Sequence, residues 1–177
     1  MSKKVAVALL VLASAVALAT ATTVRPMALE DLVRESDWIV VARPVSSYSA
    51  WDEDHRVIWT YTTVEISDSL KGARRETLVV AELGGKVGDM NLVVSGAPRF
   101  HAGEESLLFL VRMPSQKIRV LGLFQGKMQV TADPETGERF VNPTVTSRQS
   151  LERAGTPGLR RISLDSYRTH IHSLLSR

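Results

Sequence analysis

The feature that most constrains this chain is a pair of alternating runs between residues 37 and 71, joined by the acidic turn "AWDEDHR" and stopped by Lys71-Gly72. Both runs are rich in the β-branched and aromatic residues that suit strands, and the turn between them predicts a long β-hairpin. Pro44 has no N–H to give to a ladder, so it predicts a bulge or an unpaired edge in the first strand. In the second run, alternation puts Ile58, Thr60, Thr62, Val64 and Ile66 on one side, and Val57, Trp59, Tyr61, Thr63 and Glu65 on the other. Neither side is wholly polar. A strongly coiled sheet closing on itself accounts for this, because a strand in such a sheet changes its surroundings along its length.

The rest of the chain reads as shorter elements. "MALEDLVRESD" sets Leu29, Leu32 and Val33 at helical spacing with Glu30 and Asp31 near the front, which predicts a helix of about two turns acting as a lid. "ETLVVAEL" predicts a third strand, "GGKVGD" a flexible connection, and "MNLVVSG" a fourth strand segment. "APRFHAGEE" is turn-rich and leads into "SLLFLVRM", whose unbroken apolar run suits a central strand. "KIRVLGLFQGKMQV" reads as a strand with a Gly kink running into another, "DPETG" as a hairpin turn and "RFV" as a short last strand. Beyond it the period lengthens: residues 147–154 predict a short helix, and Ser163 is placed to cap a final helix with Leu164, Tyr167, Ile171, Leu174 and Leu175 on one side.

The beginning of the chain predicts export. Lys3 and Lys4 precede an Ala-rich apolar run from Val5 to Ala19, and small residues offer cleavage after Ala19 or Ala21. The run is too short and wrongly flanked for a membrane anchor, so no membrane attachment is expected once the signal is removed. Loss of residues 1–21 removes two lysines and no acids, changing the balance of 22 basic and 19 acidic residues to 20 and 19. Such a near-neutral chain has no broad electrostatic attraction to nucleic acid. With no cysteine there are no disulfides and no thiolate chemistry, so the domain must rest on its core. The division expected is a signal peptide over 1–21, a β-barrel domain over 22–155 and a C-terminal helical extension over 156–177.

These elements together suggest a mainly β fold: an OB-like closed antiparallel β-barrel with short peripheral helices after the N-terminal lead-in and at the C-terminus. "SDWIVVARPVSS…YTTVEISDSLKG", with Ser36, Asp37, Ile39, Ala42, Lys71 and Gly72, resembles the netrin-like modules, whose best-known members are the tissue inhibitors of metalloproteinases. "AGEESLLFL" and "TSRQSLERAG" extend the resemblance, which covers roughly residues 22–155. The chain also looks like a group of small exported bacterial proteins sharing "SGAPRF…GEE.LLFL". The resemblance implies a non-catalytic protein-binding module, inhibitor-like towards a secreted metalloprotease. In the inhibitors an N-terminal cysteine chelates the protease zinc; this chain lacks that cysteine, and its new terminus would carry Thr22 and Thr23 in the corresponding place.

The candidate partner-binding residues are therefore Thr22, Thr23, Trp51, Trp59 and Tyr61, the three aromatics clustering around the first hairpin. Core packing is the competing role for Trp59 and Tyr61. The partners expected are a secreted protease or an envelope protein. No catalytic residue, metal ligand or cofactor is assigned. His170 and His172, two apart on a helix, diverge too far to share an ion. "DEDH" at 52–55 lacks the ligand spacing of a calcium loop and reads as a hairpin tip, and Ser95 lacks the flanking glycines of a nucleophile elbow. Two other classes stay open: an exported hydrolase using His101, Glu104 and Asp89, and a structural component of the cell envelope.

The signal reading makes a direct prediction. Mass spectrometry of the exported protein should find a chain beginning at Thr20 or Thr22; an exported chain still carrying Met1 would refute it.

Overall fold

The structure, a computed structural model, describes residues 25–142 and 162–176. The expected signal peptide, Thr22 and Thr23, and the helix expected over 147–154 lie outside the described residues. The chain is mainly β. Helix α1 (Leu29–Glu35) is followed by β1 (Trp38–Trp51) and β2 (Ile58–Lys71), which form the long hairpin. Next come β3 (Thr77–Leu83), β4 (Gly85–Val87), β5 (Met90–Leu92), β6 (Glu105–Arg112) and β7 (Ile118–Val120). A 3-10 turn (Leu123–Gly126) leads to β8 (Lys127–Ala132), β9 (Arg139–Val141), β10 (Ile162–Ser163) and helix α2 (Leu164–Leu175).

The main sheet runs β1-β2-β3-β7-β6-β8-β9-β10, and β1 also pairs with β6, so the pairings pass around a ring of five strands. All of its ladders are antiparallel except β3–β7, which is parallel and registered through the single pair Val80 and Ile118. β7 and β8 lie one after the other along the same edge of β6. The kink at Gly122, with its left-handed φ of 65°, is what lets one stretch of chain serve as both.

Alternation sorts the side chains into two apolar clusters. Inside the ring sit Val40, Val64, Leu78, Val80, Leu108, Leu110 and Val120. On the other side of the same strands, Ile39, Val41, Leu107 and Phe109 pack under the helices, against Leu32 of α1 and Tyr167 and Ile171 of α2. Thus "SLLFLVRM" is continuous because β6 is buried on both faces. The expected bulge at Pro44 is present: the β1–β2 register shifts between Pro44 and Ser46, leaving Val45 out of the ladder. The expected change of environment along β2 is also present, from Val64 in the ring core to Thr60 and Thr62 near its mouth.

The Lys71-Gly72 stop has a physical basis. Lys71 Nζ donates to the carbonyls of Val33 (2.7 Å) and Arg34 (3.1 Å), satisfying two acceptors that the end of α1 leaves without intrahelical partners. Gly72 has φ of 91°, and a Cβ there would collide with the Asp37 carbonyl and the Trp38 ring. At the other end of the chain, Ser163 Oγ accepts the Ser166 N–H at 3.3 Å and so caps α2 as expected. Leu164, Tyr167 and Ile171 of α2 belong to the core cluster, so this helix is part of the packed body. No helix among the described residues is long and apolar enough to cross a membrane.

Two expectations differ from the structure. "GGKVGD" is not a flexible connection but carries β4, and "MNLVVSG" does not join the main sheet: among the described residues β5 pairs only with β4, in a separate two-stranded hairpin. Short strands around glycines have too little side-chain pattern to announce themselves. Gly85 lets this hairpin lie against the ring mouth, since a Cβ there would strike the Ser49 and Thr60 hydroxyls.

Leu108 is fully buried in the ring. Leu108→Ala should cost about 2–5 kcal/mol of stability, and Leu108→Asp should abolish folding, because an unpaired buried carboxylate costs several kcal/mol or more. Thermal melting followed by circular dichroism checks both; near-native melting of the Asp variant would mean the strand is not interior.

Candidate functional site

Trp59 and Tyr61 lie on the same side of β2, opposite to Val64, and therefore on the outside of the ring. Both are half-buried, and neither belongs to an apolar core cluster. Tyr61 is paired in register with Tyr48 of β1, and the two rings stack with centroids 5.2 Å apart and planes inclined by 21°. Tyr48 is 62% exposed. Val79 of β3, also exposed, continues this face on the other side of β2.

Trp59 is a platform for cations. Lys117 Nζ stands 5.2 Å from its ring centre and the Arg119 guanidinium 5.6 Å from it, both within cation–π range. Trp51, at the far end of β1, is half-buried, with its ring 6.3 Å from that of His55. The structure thus brings Trp59 and Tyr61 onto one face and leaves Trp51 at the hairpin tip. Tyr48 is not among the candidates that the sequence offers. Its signal was there: counting back symmetrically from the 52–57 turn puts it opposite Tyr61.

The hairpin tip is built by Asp52. Its Oδ1 accepts the N–H groups of Arg56 (2.6 Å) and Val57 (3.1 Å), and those bonds hold its carboxyl below the usual carboxylate range. Glu53, Asp54 and His55 point into solvent. Asp52 thus serves the turn, and "DEDH" is a hairpin tip.

The residues considered for a hydrolase are also engaged or exposed. Glu104 takes the Lys127 ammonium on one oxygen and the His101 N–H, at 3.2 Å, on the other. Asp89 is exposed in the turn between β4 and β5. Ser95 lies within the turn closed by the bond from the Ala97 N–H to the Val94 carbonyl. His170 and His172 are both on α2, as expected.

Sequence reasoning missed Glu82. Its side chain is 5% exposed, on the inner side of β3 beyond Val80. Oε1 accepts the Val120 N–H at 2.6 Å and Oε2 accepts Arg119 Nη2 at 3.1 Å. The carboxylate therefore ties β3 to β7 just where their backbone pairing ends. It also helps line a hollow of about 350 Å³ at the ring mouth, with Ser47, Thr60, Thr62, Phe100 and His101. Burial pushes the Glu82 carboxyl above its ordinary value of 4.5, against the opposing pull of the Val120 N–H and Arg119.

A second missed residue is Gln125, buried in the 3-10 turn. Its Oε1 accepts the Met27 N–H at 2.8 Å, while Nε2 donates to the carbonyls of Arg25 (3.1 Å) and Gly122 (3.2 Å). One amide thus fixes the lead-in to the body of the domain.

No protein-family model, curated protein or solved structure matches the chain.

Glu82→Ala should cost about 3 kcal/mol at neutral pH, since it orphans the Val120 N–H and a largely buried guanidinium. Glu82→Gln keeps an acceptor and should cost less. Because the folded-state value is raised, the stability linked to protonation of Glu82 is full below 4.5 and is lost as pH rises through the raised value, while the bonds to Val120 and Arg119 persist. The Gln variant should accordingly gain on the parent as pH rises from about 4 to neutral. Parallel pH series of denaturant melts read the difference, and a gap that does not change with pH would refute the assignment.

Proposed function

We propose that the chain is an exported protein-binding module built on an OB-like closed barrel. The observation that carries this reading is the stacked Tyr48–Tyr61 pair, exposed beside Val79 and next to the Trp59 platform with its two cations. Large, stiff aromatic groups of this kind give much contact area for little ordering entropy, and they dominate interfaces when a partner covers them. The ring order β1-β2-β3-β7-β6, completed by the β1–β6 pairing, supports the barrel, because a small five-stranded Greek-key barrel is built from such a ring.

The narrower reading, inhibition of a secreted metalloprotease by the new N-terminus, draws support from the Gln125 clamp. A chelating terminus must leave the domain from a fixed point, and Arg25 and Met27 are held by one buried amide. On this reading the neutral fraction of the α-amine at Thr22 and a neighbouring carbonyl meet the protease zinc, and Thr23 enters the adjacent pocket.

The test immobilises the mature domain, challenges it with the exported fraction of its own cells and assays a panel of exported zinc proteases. Tyr48→Ala should weaken capture of the recovered partner by about 2 kcal/mol without altering the melt, because the side chain is exposed. One alanine added before the mature terminus should abolish inhibition if the terminus chelates. Capture that ignores Tyr48→Ala would remove the aromatic face from the interface, and equal inhibition by both forms would exclude chelation.

A further inference from the structure

We infer that the split seam between β3 and the β6–β7 turn is a docking groove for an extended acidic segment of a partner protein, which pairs with the free edge of β3. The inference rests on the binding-module reading and names the chemistry of the partner.

The groove follows from the shortness of β7. β3 is paired with β2 along its whole length, from Thr77 to Leu83, but it meets β7 only at Val80. On its other edge, Thr77 to Val79 have no strand beside them among the described residues. Ahead of β7 the chain turns tightly, with the Gln116 N–H bonded to the Met113 carbonyl and the Met113 N–H to that of Lys117. A groove of about 570 Å³ remains, with Tyr61, Val79 and Ala81 on one wall. It exposes unpaired backbone and an apolar floor, the two things an added strand uses.

Its charge selects the occupant. Arg75, Arg112 and Lys117 all line this groove, no acidic residue among the described ones does, and none of the three forms an ion pair with a described residue. The neighbouring carboxylates are placed elsewhere. Asp37 accepts the Arg112 backbone N–H, Glu82 pairs with Arg119, and Glu65 and Glu76 line a separate hollow with Arg74, which Arg75 borders as well without an ion pair to either acid. Lys117 is held over Trp59, and the Arg112 guanidinium lies 5.1 Å from the centre of the Trp38 ring while bonding Gln116 at 3.2 Å. Two cations are thus positioned before any ligand arrives, which lowers the ordering cost of binding. In an extended segment, alternate side chains meet opposite walls, so acids on one side face these cations while the other side packs on Val79 and Ala81.

The test uses the mature chain and a fluorescent peptide alternating Thr and Glu, read by fluorescence anisotropy over a salt series. Saturable binding should weaken with added salt. Arg75→Glu and Lys117→Glu should each weaken it about tenfold or more, while Arg74→Glu leaves it unchanged. The same peptide methylated on alternate backbone nitrogens keeps its charge but cannot pair, and should bind at least about tenfold more weakly. Equal binding of the methylated and unmethylated peptides, indifference to the two reversals, or a preference for a sulfated polysaccharide over the peptide would each overturn the proposal. Should the peptide fail while Tyr48→Ala still weakens partner capture, the groove assignment falls and the binding module stands, since Tyr48 does not line the groove. If Tyr48→Ala is also without effect, both fall together.

Discussion

The pairing of β1 with β6 is the constraint on which the remainder of the fold leans. From Trp38 opposite Leu110 to Ala42 opposite Ser106, every residue of both strands is buried. The two faces go to different cores, one inside the ring and one beneath the helices. Because both faces are apolar, hydrophobicity alone cannot fix the register here; a slip of one residue would exchange two equally greasy sides. Polar contacts at the two ends do that work. At one end Asp37 receives the Arg112 N–H on its carboxylate and gives its own N–H to the Leu110 carbonyl. At the other, buried Glu105 meets Arg43 and Arg139 at 3.4 and 3.5 Å, and Ser67 from the bulged part of β2. Sliding the strands would separate each of these pairs and leave charge stranded at a buried site.

Opposite this strong pair lies the weak point of the ring. The β3–β7 contact has one registered backbone pair, and Glu82 supplies the next link with a side chain. A carboxylate makes a stronger acceptor than a carbonyl, but it must shed water to reach Val120, and the upward shift of its pKa is the trace of that cost. A longer β7 would close the ring with ordinary ladder bonds and bury the edge of β3. The short β7 leaves that edge, the apolar floor and three cations accessible together. The seam that needs Glu82 and the groove proposed to bind a partner are therefore two consequences of one local shortage of strand.

How much of this was legible depends on the distance over which each feature is specified. α1, the β1–β2 hairpin, β6, the "DPETG" turn and capped α2 are written in local periodicity and turn chemistry, and each is found where that pattern puts it. β4 and β5 are too short and too glycine-rich to carry a period, and the ring mouth positions them. Trp59 and Tyr61 were visible as aromatic strand residues, but the cations over Trp59 come from Arg119 of β7 and from Lys117 just before it, and the β3–β7 crossover brings them there. Glu82 and Gln125 are less legible still. A lone acid in "LVVAEL" and a lone amide in "GLFQGK" look like ordinary surface polarity until partners 38 and 98 residues away are known.

The Gln125 clamp also bears on how a chain with no cysteine can hold its lead-in. A disulfide would stabilise by about 2–4 kcal/mol, acting largely by restricting the unfolded chain. The Gln125 amide makes two hydrogen bonds to the lead-in instead, and a third to Gly122 that fixes its own turn, each worth about 1 kcal/mol net and more to break, because the group is buried at 4% exposure and would be left unsatisfied. The totals are comparable, but the clamp acts only on the folded state and needs no oxidant to form. For the proposed exported module this means that the lead-in is fixed once the 3-10 turn has packed under β6. The exit of the lead-in is then coupled to the same β6 on which both cores are built, and loosening that strand would release the N-terminal segment together with the ring.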